Sequence, residues 1–87
     1  MAAEVTAPFN YFEDITTSDT VDIQAFTREG RLTEAIYVGV GGTVVVFSQS
    51  LKSQSFVGVP AGSMLRVAAR RVGASSTASS LQACFTV

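Results

Sequence analysis

The sequence contains no histidine and a single cysteine, Cys84. Without histidine, Ser-His and Cys-His catalytic pairs and histidine-ligated metal sites are excluded. A single cysteine cannot form a disulfide within the chain. No apolar run reaches the roughly 18 residues that a membrane-spanning helix needs. The acidic N-terminus also lacks the basic and apolar regions of a secretory signal, so we expect neither a membrane segment nor a leader.

Acidic residues are absent after Glu34. The first 34 residues contain all seven acids and two arginines, a formal charge of −5, whereas the remainder contains one lysine and three arginines, a formal charge of +4. A chain polarised in this way can pair its acidic head with its own basic body or with the body of a neighbouring copy. A third interpretation is that the acids are simply solvated.

Period-2 alternation of apolar residues predicts β-strands through most of the chain. The predicted strands cover residues 21–23, 34–40, 43–49, 56–59, 64–72 and 81–87. Gly41-Gly42 predicts a two-residue hairpin turn, and the corner at Pro60 predicts a second hairpin. The change of parity at Arg70-Arg71-Val72 predicts a β-bulge.

The remaining segments contain no convincing amphipathic helix. Residues 24–33 are predicted to be a charged loop with a glycine at its tip, and residues 73–80, GASSTASS, a connector that is flexible by composition. We therefore expect an all-β fold, a compact antiparallel β-sandwich or barrel (jelly-roll-like) of about six or seven short strands. Residues 1–18 are predicted to form an irregular N-terminal arm and residues 19–87 a single β domain.

Two motifs that suggest ligand binding have simpler explanations. The Gly39–Gly42 stretch would need a following helix to bind phosphate, but a strand-forming run follows it, which favours a turn. The acids Glu13, Asp14, Asp19 and Asp22 do not have the spacing of an EF-hand loop, which favours a solvated acidic stretch. Paired carboxylates for glycoside hydrolysis would lie in the irregular head, a poor place to preorganise them. We therefore predict no enzyme, no cofactor and no metal site.

The candidate interface residues are aromatic and basic. Three aromatic residues within four positions are too apolar for a free tail, so they either fold back over the domain or dock into another subunit. The basic residues of the body form a cluster with Lys52, and arginine is enriched at protein interfaces. A pI of about 5.1 argues against nucleic-acid binding. The candidates are Phe9, Tyr11, Phe12, Arg66, Arg70 and Arg71.

Over about residues 16–87, the chain resembles the small head-spike base proteins of gene transfer agents and related tailed phages. Residues 26–33 look like an extension relative to that pattern, and residues 1–15 have no clear counterpart in it. The matching residues, in order, are Ser18-Asp19-Thr20, Asp22-Ile23, Ala35-Ile36-Tyr37-Val38-Gly39, Gly41-Gly42, Phe56, Val59-Pro60-Ala61-Gly62, Leu65, Arg70-Arg71-Val72 and the GASSTASS segment.

The resemblance implies a structural virion protein on the capsid exterior. Such a protein would form a homo-oligomer, a pentamer, at the five-fold vertices, contact the major capsid protein and anchor a head spike or fibre. Arg70 and Arg71 would be the first interface candidates, with Phe9, Tyr11 and Phe12 as anchors. Two alternatives stay open: a decoration protein spread over the whole capsid lattice, and a carbohydrate-binding module that uses Tyr37 and the loops for host polysaccharide.

Overall fold

A computed structural model describes residues 9–86, which form two antiparallel β-sheets packed face to face around a shared core. The larger sheet has the strand order β1-β7-β2-β5 and the smaller one β4-β3-β6. This arrangement confirms the predicted all-β sandwich. The elements are β1 Tyr11–Asp14, α1 Gln24–Glu29, β2 Ala35–Val40, β3 Gly42–Phe47, β4 Ser53–Val59, β5 Ser63–Leu65, β6 Arg71–Val72 and β7 Ser79–Phe85.

The core between the sheets comes from alternate residues of facing strands. Ile36 and Val38 of β2 are fully buried, as are Val44 of β3 and Val72 of β6. Each such side chain contributes roughly 1.5–3 kcal/mol through removal of its apolar surface from water. Alternation in the sequence predicts that Ile36, Val38 and Val40 share one face of β2. Ile36 and Val38 are buried on that face, whereas Val40, at the end of the strand, is exposed. The continuous apolar run at residues 44–47 predicts burial on both faces of β3, which is wrong, because alternate residues of this strand are only half-buried.

Helix α1 covers the end of the larger sheet that the smaller sheet does not reach. Ala25 of the helix packs with Ala83 and Phe85 of β7. The predictions of a strand at 21–23 and of a loop at 24–33 are both wrong. The carbonyl of Ile23 accepts hydrogen bonds from the N–H groups of residues 26 and 27, which starts the helix. Gly30, with φ of 69°, ends it as a left-handed cap. Six residues are too few to show a helical period.

The first predicted hairpin, at Gly41-Gly42, is wrong, because β2 and β3 belong to different sheets. The chain instead crosses from the larger to the smaller sheet at Gly41. A Cβ atom on Gly41 would lie 2.7 Å from the carbonyl oxygen of Val59. Val59 precedes the corner at Pro60, so two chain crossings meet backbone to backbone at Gly41. Such an approach requires glycine.

The second predicted hairpin, at Pro60, is wrong for the same reason, since β4 and β5 also lie in different sheets. β5 ends at Leu65, and the chain then returns to the smaller sheet, where β6 pairs with β3. One long strand over 64–72 with a bulge at Arg70 is therefore replaced by two short strands in different sheets. The observed irregularity in register lies between β3 and β4. There Gly58 has φ of 73° and Val57 is 82% exposed.

The described part of the predicted N-terminal arm is hydrogen-bonded into the sandwich. Residues 1–8 lie outside the described residues. Tyr11–Asp14 pairs with β7 as an edge strand of the larger sheet, and the N–H of Ser18 donates to the carbonyl of Val72 at 2.8 Å. The irregular structure predicted for residues 9–18 is therefore wrong where β1 forms. The sequence of this strand shows no period-2 alternation because both of its faces are largely exposed.

The GASSTASS segment lies against β3. The backbone N–H of Val45 donates to the hydroxyl of Ser76 at 2.9 Å, and that of Thr43 to the hydroxyl of Thr77 at 2.8 Å. Hydroxyl groups of the GASSTASS segment therefore accept hydrogen bonds from the backbone of a neighbouring strand. The composition of the segment does not predict this role. Over residues 9–86, no helix has the length and apolar character needed to cross a membrane.

Candidate interaction surfaces

The structure separates the six candidate interface residues into three places. One group lies on the outer face of the larger sheet, the face turned away from the smaller sheet. Tyr11 lies on the opposite side of β1, beside helix α1. Arg70 and Arg71 lie together near the start of that helix. The group on the outer face consists of Phe9, Phe12 and Arg66.

The outer face is built by four strands whose side chains form rows. The registers place Asp14, Gln82, Tyr37 and Met64 in one row across β1, β7, β2 and β5. The adjacent row contains Phe12, Cys84 and Ala35. Strand alternation puts every member of these two rows on the same face. Both edges of the sheet therefore contribute side chains to one continuous surface.

Phe9 folds back over the middle of this face. Its side chain is 8% exposed and packs on Ala35 and Cys84, with Tyr37 and Met64 beside them. The guanidinium carbon of Arg66 lies 5.6 Å from the centre of the Phe9 ring, within the range of a cation–π contact. Of the two alternatives for the aromatic cluster, Phe9 thus follows the first: it covers its own domain.

A shallow apolar depression on the same face is left open by residues 9–86. It has a volume of about 230 Å³ and is lined by Phe12, Tyr37, Met64 and Gln82. Phe12 is 49% exposed, an unusual exposure for so large an apolar side chain. Exposed apolar surface with a polar rim marks binding sites. Alternation along residues 64–72 of the sequence predicts that Met64 and Arg66 lie on the same side of a strand, but it does not predict the meeting of Met64 with Phe12.

Arg70 and Arg71 are bound within the chain. Both Nε atoms donate to Oδ1 of Asp22, at 2.9 and 2.6 Å. Arg70 also donates to the carbonyl of Gln49 and lies over the Phe26 ring, 4.5 Å from its centre. Of the interpretations of the polarised chain, pairing of the acidic head with its own basic body is the one observed here. Hydrogen bonds from Arg70 and then Arg71 hold the pKa of Asp22 below its ordinary value despite partial desolvation.

Tyr11 is likewise engaged within the chain. Its hydroxyl donates to Oε2 of Glu13 at 2.7 Å, and the same oxygen pairs with Arg28 of the helix. The hydrogen bond to Glu13 raises the pKa of Tyr11. Partial burial alone would raise the pKa of Glu13, but the hydrogen bonds from Tyr11 and Arg28 outweigh it, so this pKa is lowered. This cluster ties β1 to α1.

The buried polar side chains of residues 9–86 are satisfied within the chain. Residues 9–86 contain no group of three or more side chains placed to hold a metal ion. Every buried side-chain nitrogen and oxygen atom in that range has a hydrogen-bond partner. Burial raises the pKa of the Cys84 thiol, which favours the protonated form. The outer face, with the exposed Phe12 side chain and the apolar depression beside it, has features of a surface for protein contact.

Comparison with solved structures finds similarity to a chain from the capsid of a native GTA (gene transfer agent) particle computed with C5 symmetry. The TM-score is 0.73 and the identity 28%, over 95% of this chain and 90% of that one. No family model matches the chain, and no curated protein is significantly similar to it. The similarity covers nearly the whole chain, so it relates this chain to a gene-transfer-agent capsid chain in both fold and sequence. The resemblance predicted from the sequence is confirmed at that level.

Proposed function

We propose that this protein is a structural subunit on the exterior of a gene-transfer-agent or phage-like capsid. In this proposal it forms a pentameric base at the capsid vertices and anchors a head spike or fibre. The observation that carries the proposal is the similarity to a capsid chain over 95% of the sequence at 28% identity. At that coverage the shared unit is the whole described sandwich rather than a single motif.

One further observation supports the vertex assignment. The sequence pattern resembles head-spike base proteins, and the glycines of that pattern include Gly41, where the two chain crossings meet. In this proposal five copies form a closed ring, which is the assembly that a five-fold position accommodates. A ring of this kind presents one face to the shell and the other to whatever it anchors.

A structural role also agrees with how the chain uses its polar residues. Glu13 and Asp22, the two acids with lowered pKa, are bound to arginines that hold the helix and the start of the domain in place. We propose no catalytic role for either. The outer face, with Phe12, Tyr37 and Met64, is the surface proposed for contact with another virion protein or another copy of the chain.

Co-sedimentation with capsids that lack this protein tests the proposal. Purified chain should bind the capsids saturably and pellet with them. Phe12→Ser should weaken binding if the outer face takes part, whereas Val57→Ser, which changes another exposed apolar residue on the opposite sheet, is the matched control. Failure of the wild-type chain to pellet with such capsids at any concentration would contradict the proposal.

A carbohydrate-binding module is the second candidate function. The observation that favours it is the depression whose lining includes the aromatic rings of Phe12 and Tyr37 and the amide of Gln82. An apolar lining with a few polar groups is typical of small-ligand sites. Binding of the isolated chain to a glycan array, abolished by Tyr37→Ala, would favour this function over the structural one.

A further inference from the structure

The outer face has opposite charges at its two edges, and neither is neutralised within the described chain. Asp14 lies on β1, the edge strand at one side, and its Oδ1 atom accepts a hydrogen bond from Gln82 at 3.1 Å. Arg66 directly follows β5, the edge strand at the other side. Neither side chain forms an ion pair with another residue of the described range.

These two charges cannot meet inside one copy. Three strand spacings separate β1 from β5, about 14 Å at the usual distance between neighbouring strands. The Arg66 guanidinium lies over the Phe9 ring of its own copy, on the outer face. A cation at one edge of a surface and a carboxylate without an ion pair at the other edge are complementary between copies arranged head to tail.

The edge strands are suited to such a contact. The pair Ile15–Leu81 is hydrogen-bonded, with the N–H of Ile15 donating to Leu81 at 3.0 Å. In an antiparallel ladder, hydrogen-bonded residue pairs alternate with pairs that are not hydrogen-bonded. The backbone N–H and C=O groups of Phe12 and Asp14 therefore point away from β7, toward the free edge. No described strand lies beyond β1 or beyond β5 in this sheet. Unpaired edge groups of this kind are ready to pair with another chain.

The strand directions also agree. The larger sheet has four strands, all paired antiparallel, so β1 and β5 run in opposite directions. If β5 of one copy lies beside β1 of the next, the antiparallel order continues. We take the register in which the side-chain rows of the outer face continue from one copy into the next. In this register Arg66 lies opposite Phe12 of the next copy, and Asp14 of that copy is its diagonal neighbour. Long side chains reach diagonal neighbours in a sheet.

We propose that copies of this chain join side by side through the two edges of the larger sheet, with Arg66 of one copy contacting Phe12 and Asp14 of the next. The inference rests on the proposed function, because it supplies the contact that a vertex ring needs. Since different surfaces of the two copies meet, the contact is heterologous and repeats around a closed ring. The apolar depressions of successive copies then form one belt around the ring.

A charge swap tests this contact. The purified full-length chain, Asp14→Lys, Arg66→Glu and the Asp14→Lys/Arg66→Glu double variant are compared by light-scattering mass over a range of concentrations. Each single reversal should weaken association roughly tenfold or more, because it places like charges against each other. The double variant should regain the wild-type assembly. Lys52→Glu is the matched control, since Lys52 also lacks an ion pair in the described range but lies between β3 and β4, away from this sheet.

Folding is checked separately. Circular dichroism and thermal unfolding of every variant show whether a loss of association reflects a loss of structure. Asp14→Asn is the milder variant, because it removes the charge but keeps an oxygen that accepts a hydrogen bond from Gln82. It should weaken association less than Asp14→Lys does.

Three outcomes overturn the contact: a wild-type chain that is monomeric at every concentration, single reversals that leave the mass unchanged, or a double variant that does not recover. Co-sedimentation with capsids separates this result from the proposed function. If the chain is monomeric but still binds capsids, the edge contact is contradicted and the proposed function is supported. If the double variant regains association but the chain binds no capsid, the edge contact is supported and the proposed function is contradicted.

Discussion

Arg71 donates a hydrogen bond of 2.6 Å from Nε to Oδ1 of Asp22, a residue 49 positions earlier in the chain. Arg71 belongs to β6 of the smaller sheet, and Asp22 lies just before helix α1. Because Arg71 also donates to the backbone carbonyl of Asp19 at 3.0 Å, its side chain holds this whole turn against the sheet. The pair therefore fixes the position from which the helix begins.

Replacing Asp22 with asparagine should destabilise the fold. The substitution keeps the size of the side chain but removes the charge that Arg70 and Arg71 share, and it leaves two partly buried guanidinium groups facing each other. We expect the melting temperature to fall by several degrees. Asp14→Asn, at an acid without an ion pair, is the control and should change the melting temperature little. Equal melting temperatures for the two variants would contradict this role of Asp22.

Stability should decrease at acidic pH. The pKa values of Asp22 and Glu13 lie below their ordinary values of 3.8 and 4.5 in the folded chain. A lowered pKa stabilises the folded state at pH values above the ordinary pKa, and this contribution is lost as the pH falls through the folded-state value. Urea unfolding between pH 7 and about pH 3 measures the loss. The Asp22→Asn variant should show a shallower decline, and a parallel decline would contradict the assignment.

The hydroxyl of Thr33 should contribute to stability out of proportion to its size. Thr33 is 2% exposed, and its Oγ1 atom donates to the carbonyl of Val67 at 2.6 Å and accepts from the N–H of Ala69 at 2.9 Å. Thr33→Val keeps the shape but leaves both backbone groups without this partner, which should cost about 1–3 kcal/mol. Thr33→Ser keeps the hydroxyl and should cost about 0.8 kcal/mol for the lost methyl group. Urea unfolding measures both costs, and the opposite order would contradict this role.

Gly39 should not tolerate alanine. A Cβ atom at this position in β2 would lie 2.7 Å from Cβ and 2.8 Å from the carbonyl oxygen of Ser80 on β7. Neither neighbour is the end of a flexible side chain, so the strands must shift, at a cost of about 1–3 kcal/mol. Ser80→Gly removes one of the two clashes and relieves the φ of 53° at Ser80, so it should partly rescue Gly39→Ala in thermal unfolding. If Ser80→Gly gives no rescue, the clash with Ser80 is not the cause of the destabilisation.

Sequence patterns predicted the strands better than the connections between them. Alternation identified β2 and β7 because each has one face in the core, and it placed Ile36 and Val38, both buried in the structure, on the same face. Strand patterns do not state which sheet the next strand joins. Gly41 and Pro60 were therefore interpreted as hairpin corners, whereas they mark crossings between sheets. A crossing at Gly41 differs from a hairpin corner by the close approach of its backbone to that of Val59, and this approach is visible only in the folded chain.

The candidate surface was predictable in composition but not in arrangement. The sequence indicated that Phe12 and Arg66 could take part in an interface. It could not indicate that they lie at opposite edges of one sheet, because this depends on the order β1-β7-β2-β5. Arg70 and Arg71 carried the same sequence signal as Arg66. Their contact with Asp22, which is distant in sequence, shows that these two arginines are paired within the chain, whereas Arg66 is not.

The number of copies bound per capsid at saturation tests the proposed vertex base most directly. Capsids that lack the protein are saturated with labelled chain, separated from unbound chain and quantified. A vertex base predicts saturation at a few tens of copies, because closed symmetry limits the number of five-fold sites. Saturation at several hundred copies would contradict the vertex assignment and identify a protein that decorates the whole lattice.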